Sequence, residues 1–337
     1  PPRSTLFPYT TLFRSLRSVP LVQLFLMEHH FVSSITPELA RSLLPNRPDD
    51  SHKGSFGKAL VIAGSTQFPG AANLAIQAAL RSGAGLVYAA IPESIYLPLA
   101  ASIPEAIWLV IPEKDGAITL EGQPDPRVGK RPAFSSEQDM DAILVGPGLG
   151  QADCTKDFLF SLLSHLPESA TDLPIVIDAD ALNILSRQPN WASLLPKQTI
   201  LTPHEMEFSR LSGLPVDQIH QNRQDLAITY AQQWQHTLIL KGANTLVVSP
   251  AGECRLLPFA SSALAHGGTG DVLAGLLVGL LAQGLALFDA ATLAVWLHAR
   301  AAELALEVVG HPAAVLPSDI ILQLGRAMII TSSSASR

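Results

Sequence analysis

Charge, sulfur and aromatic rings are all scarce in this sequence. Charged residues make up 15% of the 337, aromatics 6%, and there are two cysteines. Cys154 and Cys254 lie far apart, with no CxxC pair and no Cys/His cluster around either. That argues against a structural zinc site and a disulfide framework, and fits two reduced thiols in a cytoplasmic protein. No basic stripe is present and the net charge is −7, so nucleic acid is not an expected partner. Long apolar runs are missing too. The most membrane-like stretch, 272–288, is interrupted by Gln283 and Gly284 and preceded by Asp271. A spanning helix needs roughly 20 mostly apolar residues, so this stretch reads as a buried core helix and no membrane association is expected.

What is abundant is aliphatic. Hydrophobic residues reach 47%, chiefly Ala, Leu, Ile and Val, enough for a large core. Residues 1–26 stand apart. They begin with Pro1, carry Thr-Leu-Phe twice and precede the first methionine, Met27. Pro20 and Gln23 interrupt their apolar run, unlike a secretory signal. The expectation is a non-native or disordered extension over 1–26 and a single domain over 27–337.

From Thr36 onward, short β-rich runs alternate with longer Ala/Leu-rich ones. Strands are expected at 59–63, 86–91, 142–145, 175–178, 237–240 and 245–248. Each is a short apolar run bounded by Gly, Pro or Asp, as in strands covered on both faces. Helices are expected at 71–82, 180–185, 222–233, 270–281 and 290–308. The alternation implies an α/β fold with a doubly wound, mostly parallel sheet, and ligands beyond the strands' C-terminal ends. The Pro-, Gly- and charge-rich stretch 112–136 reads as a loop.

The strongest chemical signal is Gly267-Gly268-Thr269-Gly270-Asp271 leading into an apolar helix. Glycines let backbone approach an anion, and a helix N-terminus favours negative charge. Asp271, in the first turn, is either a capping carboxylate or a base for a hydroxyl attacking phosphorus; the motif as a whole favours the base. Gly146–Gly150, GPGLG, follows a strand and is a tight turn or a ligand loop. It is no dinucleotide fingerprint, and the chain has no Walker A loop. Lys241-Gly242-Ala243-Asn244-Thr245 joins two expected strands, as a plain hairpin or as donors to nucleotide phosphates. Thr202 reads as an N-cap with Pro203 at the first helical position and Glu205 completing a capping box. That leaves His204 and Glu207 for substrate or metal contact. Asp178 and Asp180 follow another strand and either cap a helix or hold Mg²⁺ or a ligand hydroxyl.

As a set, HKGSFGK at 52–58, GPGLG, DADALN at 178–183, LTPH at 201–204 and GGTGD resemble the NAD(P)H-hydrate dehydratases of the ribokinase-like superfamily. The resemblance runs from about residue 37 to 325. It implies a three-layer α/β/α ribokinase-like fold. It implies dehydration of NADHX or NADPHX back to NADH or NADPH, with ADP or ATP as phosphoryl donor and Mg²⁺ on the nucleotide. On that resemblance Asp271 is the catalytic base. Ala71, Gly148, His204 and Asp271 contact the hydrated nicotinamide nucleotide, Lys241–Thr245 and Gly270 the adenine nucleotide. Gly267–Gly270 form the anion hole, and Glu207 matches an acidic, metal-associated position of related vitamin kinases. His204 stands where those kinases carry Asn, which favours a dehydratase. Ser261–His266 departs from the family's usual Asn- and Gly-containing segment. Many relatives carry an epimerase domain for which residues 1–36 are too short, so a separate epimerase partner is expected, as is a homo-oligomer. The rival readings are a kinase of a vitamin-precursor alcohol and a non-catalytic nucleotide-binding regulator.

Overall fold

In the computed structural model, residues 32–121, 140–166 and 172–333 are described; the 1–26 extension and most of the 112–136 loop lie outside them. The strands are β1 (Val32–Ser34), β2 (Lys58–Ile62), β3 (Leu86–Pro92), β4 (Ile107–Ile111), β5 (Glu113–Lys114), β6 (Ala117–Ile118), β7 (Ala142–Val145), β8 (Ile175–Ile177), β9 (Thr199–Leu201), β10 (Thr237–Leu240), β11 (Leu246–Val248) and β12 (Cys254–Leu256). Ten of them form one sheet in the order β1-β12-β11-β10-β9-β8-β7-β2-β3-β4; β5 and β6 pair separately. Pairing is parallel except at β10/β11 and β11/β12. This is the mostly parallel α/β sheet expected.

The continuous apolar runs explain themselves once both faces are covered. In β2, Ala59 and Val61 join one core while Leu60 and Ile62 join the other; in β7, Ala142 and Leu144 oppose Ile143 and Val145. Side chains alternate across a strand, so a strand between two cores is apolar at every position. Helices α1 (Pro37–Leu43), α2 (Pro69–Arg81) and α3 (Glu93–Ser102) follow the first strands. After β7 come α4 (Asp153–His165), α5 (Ala179–Leu185), α6 (Glu205–Ser212), α7 (Val216–Gln221) and α8 (Arg223–Trp234). The chain ends in α9 (Thr269–Ala282), α10 (Leu287–Val309) and α11 (Pro317–Ser332). Residues of α2, α9, α10 and α11 build one core, those of α4–α8 the other.

Twelve of the 14 residues of α9 are buried, which is why its sequence is apolar all round. It lies tight against α2: a Cβ at Gly275 would fall 2.1 Å from the Ala75 carbonyl oxygen, and one at Gly279 would fall 1.9 Å from Ser82 Oγ. That glycine seam sets the N-termini of α9 and α2 side by side. Among the described residues no helix is long and apolar enough to cross a membrane. The HKGSFGK segment runs into the start of β2, and Gly85 N donates to the Phe56 carbonyl. It therefore braces the N-terminal ends of the strands, opposite the motifs that follow.

Candidate active site

The turns after β2, β7, β8, β9 and β10 meet beyond their C-terminal ends, in front of α9. Gly268 is the N-cap of α9, at φ 98°, and no side chain caps the helix. The N–H groups of Thr269 and Val272 find the carbonyls of His266 and Gly268. Those of Gly270 and Asp271 meet no acceptor among the described residues, leaving the donors and positive dipole end an anion requires. The Thr269 hydroxyl donates to the carbonyls of Leu264 and His266 at 3.0 Å each, fixing the turn. A Cβ at Gly268 would meet Leu74 Cδ1 at 2.6 Å, a side-chain end that can move aside, so it is the positive φ that calls for glycine here.

Asp271 points into a group of charges. Burial pushes its carboxyl up to about 7, helped by Asp178 and opposed by Lys241. Lys241 Nζ donates to Asp178 Oδ1 at 2.8 Å and lies 3.9 Å from Glu207 Oε2. Burial pulls the ammonium down, but Asp178 and Glu207 outweigh it and hold it above its ordinary value. The Thr202 hydroxyl donates to the same Asp178 oxygen at 2.7 Å. Burial also pushes Glu207 up to about 7, against the pull of Lys241. Such raised carboxylates in a cleft mark a site where protons move near neutrality.

The capping box expected at Thr202 and Glu205 is displaced by two residues. α6 begins at Glu205, its N-cap is His204, and Glu207 is the capping-box partner. His204 Nδ1 accepts from the N–H of Met206 and Glu207 at 3.1 and 3.2 Å, while Glu207 Oε2 accepts from His204 N at 2.9 Å. Thr202 instead serves Asp178, and Glu205 Oε1 lies 2.9 Å from Arg223 Nε. The reason is register: His204 pairs with Lys241 as a parallel bridge, so extended backbone runs three residues past β9 before the helix starts. Because Nδ1 accepts, the half-exposed His204 ring is neutral and carries its proton on Nε2; burial and Lys241 hold its pKa below the usual value.

Ala71, near the start of α2, and Gly148 are brought together: a Cβ at Gly148, φ 63°, would fall 2.7 Å from Ala71 Cβ. Asp180 does not cap α5; its carboxylate accepts from Gly150 N at 2.9 Å and from Gln151 Nε2 at 2.9 Å, holding the GPGLG turn. Beside Asp271 opens a cavity of about 510 Å³. Lys241, Gly242, Ala243, Thr245, Thr269 and Gly270 line it, with apolar walls from Leu257, Phe259, Leu264, Leu273 and Val295. Asn244 and Gly267 do not line it. The Thr245 hydroxyl is turned back to the Gly242 carbonyl at 3.0 Å.

Residues 59–325 match the NAD(P)H-hydrate dehydratase family model. The chain belongs to that family. It is 36% identical over 273 residues to the ADP-dependent (S)-NAD(P)H-hydrate dehydratase of Bacillus subtilis, covering 80% of this chain and 88% of that one. It is 34% identical over 287 residues to the bifunctional NAD(P)H-hydrate repair enzyme Nnr of Moorella thermoacetica, covering 85% of this chain and 52% of that one. The chain thus spans about half the length of its bifunctional relatives. The crystal structure of the B. subtilis ADP/ATP-dependent dehydratase, co-crystallised with ATP/Mg²⁺, superimposes with a TM-score of 0.72 at 33% identity, covering 89% of this chain and 99% of that one.

Two further residues of the candidate site carry no signal in the sequence. Arg223, one helix away, donates to the carbonyls of Leu240, Lys241 and Ala243 at 3.3, 3.2 and 2.6 Å and so shapes the Lys241–Thr245 turn. His298 of α10 lines the cavity with a buried Nε2 that has no partner among the described residues, and burial lowers its pKa to about 4. Both come from elements distant in sequence, and only tertiary packing reveals them. Glu207 Oε2 accepts from His204 N and lies 3.9 Å from Lys241 Nζ, and Oε1 lies 3.6 Å from His204 Nε2; the described residues contain no group of three side chains that could hold a metal ion by themselves.

Proposed function

We propose that this chain restores NADH or NADPH from NADHX or NADPHX, using ADP, or ATP, as phosphoryl donor. The carrying observation is a carboxylate with a pKa of about 7 at the uncapped N-terminus of α9, between a nucleotide-sized cavity and the Ala71–Gly148–His204 surface. Adenine and ribose occupy the largely apolar cavity. The phosphates reach the Gly270 and Asp271 N–H groups and Lys241, whose Nζ would lie 3.4 Å from a Cβ at Gly270. The hydrated nicotinamide lies over Ala71, Gly148 and His204.

Asp271 takes the proton of the C6 hydroxyl, and the oxygen attacks the terminal phosphorus, releasing AMP when ADP is the donor. The ring-nitrogen lone pair then expels phosphate from C6, and loss of a C5 proton restores the C5=C6 double bond. The donors at Gly267–Gly270 stabilise charge on the transferring group as it develops. Mg²⁺ would enter with the nucleotide and neutralise phosphate charge, with Glu207 as the side chain of this chain that would help to hold it. Residues 27–337 act as one domain, working together with an NAD(P)HX epimerase activity and assembled as a homo-oligomer.

The test is recovery of reduced-nicotinamide absorbance from NADHX with ADP or ATP, for wild type and Asp271→Ala. The expected loss in the variant is about 10²–10⁴-fold, the usual contribution of a positioned base. Wild-type rate should climb with pH through about 7 as Asp271 ionises. A folded wild type that is inactive with either donor, or that accumulates a stable phosphoester, would remove the dehydratase reading in favour of a kinase.

A further inference from the structure

A second cavity, about 410 Å³, opens where the turn after β7 meets α5 and α6; Gln151, Asn183, Ser186, Arg187 and Arg210 line it. Every lining side chain is polar and none is acidic. Arg210 Nη1 donates to Asn183 Oδ1 at 2.6 Å, and Arg187 Nη2 donates to Gln151 Oε1. Neither guanidinium forms an ion pair with a carboxylate of the described residues. In a chain with 29 acidic and 22 basic residues, these two arginines are bonded to neutral amides and not to carboxylates, which leaves positive charge at the cavity. Each guanidinium has five N–H donors, so one bond to an amide oxygen leaves most of the fork free.

The cavity adjoins the active site directly. Gln151 links Arg187 to Asp180, whose other oxygen holds the GPGLG turn at Gly150. Arg210 is near enough to His204 and Glu207 for its charge to lower the proton affinity of both. The nucleotide cavity shares no lining residue with this one. A dinucleotide placing its nicotinamide over Gly148 and His204 therefore has its remaining length to accommodate on this side. Its phosphates need cations there, and neither Lys241, which lines the nucleotide cavity, nor Arg223, which pairs with Glu205, lines this one.

We propose that Arg187 and Arg210 form the subsite for a phosphate of the dinucleotide substrate, either the pyrophosphate common to both hydrates or the 2′-phosphate of NADPHX. The inference rests on the dehydratase reading, but its test does not need turnover. NADH and NADPH carry the same phosphates, and their binding is read from nicotinamide fluorescence in wild type, Arg187→Ala and Arg210→Ala. Both side chains are exposed, so the fold should survive. Loss of either arginine should weaken binding about 10- to 100-fold, as for a charge-assisted contact, with partial rescue by Arg→Lys. Equal weakening for both ligands assigns the pyrophosphate, and weakening for NADPH alone assigns the 2′-phosphate. Unchanged affinity in both variants, or no binding to wild type, overturns the proposal. Wild-type dehydration of NADHX, measured separately, judges the dehydratase reading, so the two can fail independently.

Discussion

Lys241 is the cation on which the neighbouring carboxylates depend. It bonds Asp178 at 2.8 Å, lies 3.9 Å from Glu207, and its charge opposes the upward push on Asp271. A buried ion pair adds little net stability when intact, yet removing one partner strands the other. Lys241→Met should therefore cost about 3–5 kcal/mol, read as a drop in the urea midpoint. With the ammonium gone, burial acts unopposed on Asp271, so any remaining activity should rise with pH at higher values than in wild type. An unchanged midpoint would mean that water reaches Asp178 and that the network is far less enclosed than its burial indicates. Asp178 and Lys241 are 63 positions apart. Both stand out in the sequence as candidates, but nothing in their spacing shows that one neutralises the other. The same limit applies to His204 and Glu207. Local pattern alone puts the capping box at Thr202, whereas the bridge from His204 to Lys241 moves the helix start.

At the scale of elements, the α2–α9 seam decides where Asp271 stands relative to Ala71. The Gly275 position has only 2.1 Å between a Cβ and the Ala75 carbonyl oxygen, backbone that cannot rotate away. Gly275→Ala must push the helices apart, at a cost of about 1–3 kcal/mol or more. It should also lower kcat, because Asp271 and Ala71, proposed as the base and as part of the nicotinamide surface, sit on opposite sides of that seam. Gly325 in α11 is the control: a Cβ there meets nothing within 4 Å, so Gly325→Ala should stabilise by about 0.4–1 kcal/mol. Thermal melts with turnover assays check both, and a Gly275→Ala protein as stable and active as wild type would show that the seam does not position the site. The strands are readable from sequence where both faces are buried, as in β2, β7 and β10, because such strands are apolar throughout. Helices α2, α5, α8, α9 and α10 fall within a few residues of expectation. The short edge strand β1 is not readable: its sequence, VSS, becomes a strand only by pairing with β12.

For the whole molecule, the proton affinity of the site is a load on folding. Asp271 and Glu207 are both raised to about 7, from ordinary values of 3.8 and 4.5. Between those limits the folded protein holds more protons than the unfolded chain, so stability falls as pH rises and is lowest above the folded pKa. Each tenfold gain in proton affinity corresponds to about 1.4 kcal/mol, and the two carboxyls repel each other, so their joint effect is a few kcal/mol and less than the sum. Asp271→Asn keeps the shape of the side chain but never ionises. It should match wild type at about pH 3, below the ordinary value, where position 271 is largely neutral whether the chain is folded or not, and exceed it by about 1–3 kcal/mol near pH 8. The variant should at the same time be nearly inactive, a gain in stability that comes with loss of the base. Urea titrations across that pH range decide the matter. Parallel curves for the two proteins would mean that Asp271 ionises at an ordinary carboxylate pH, and catalysis would then lack a base tuned to neutrality.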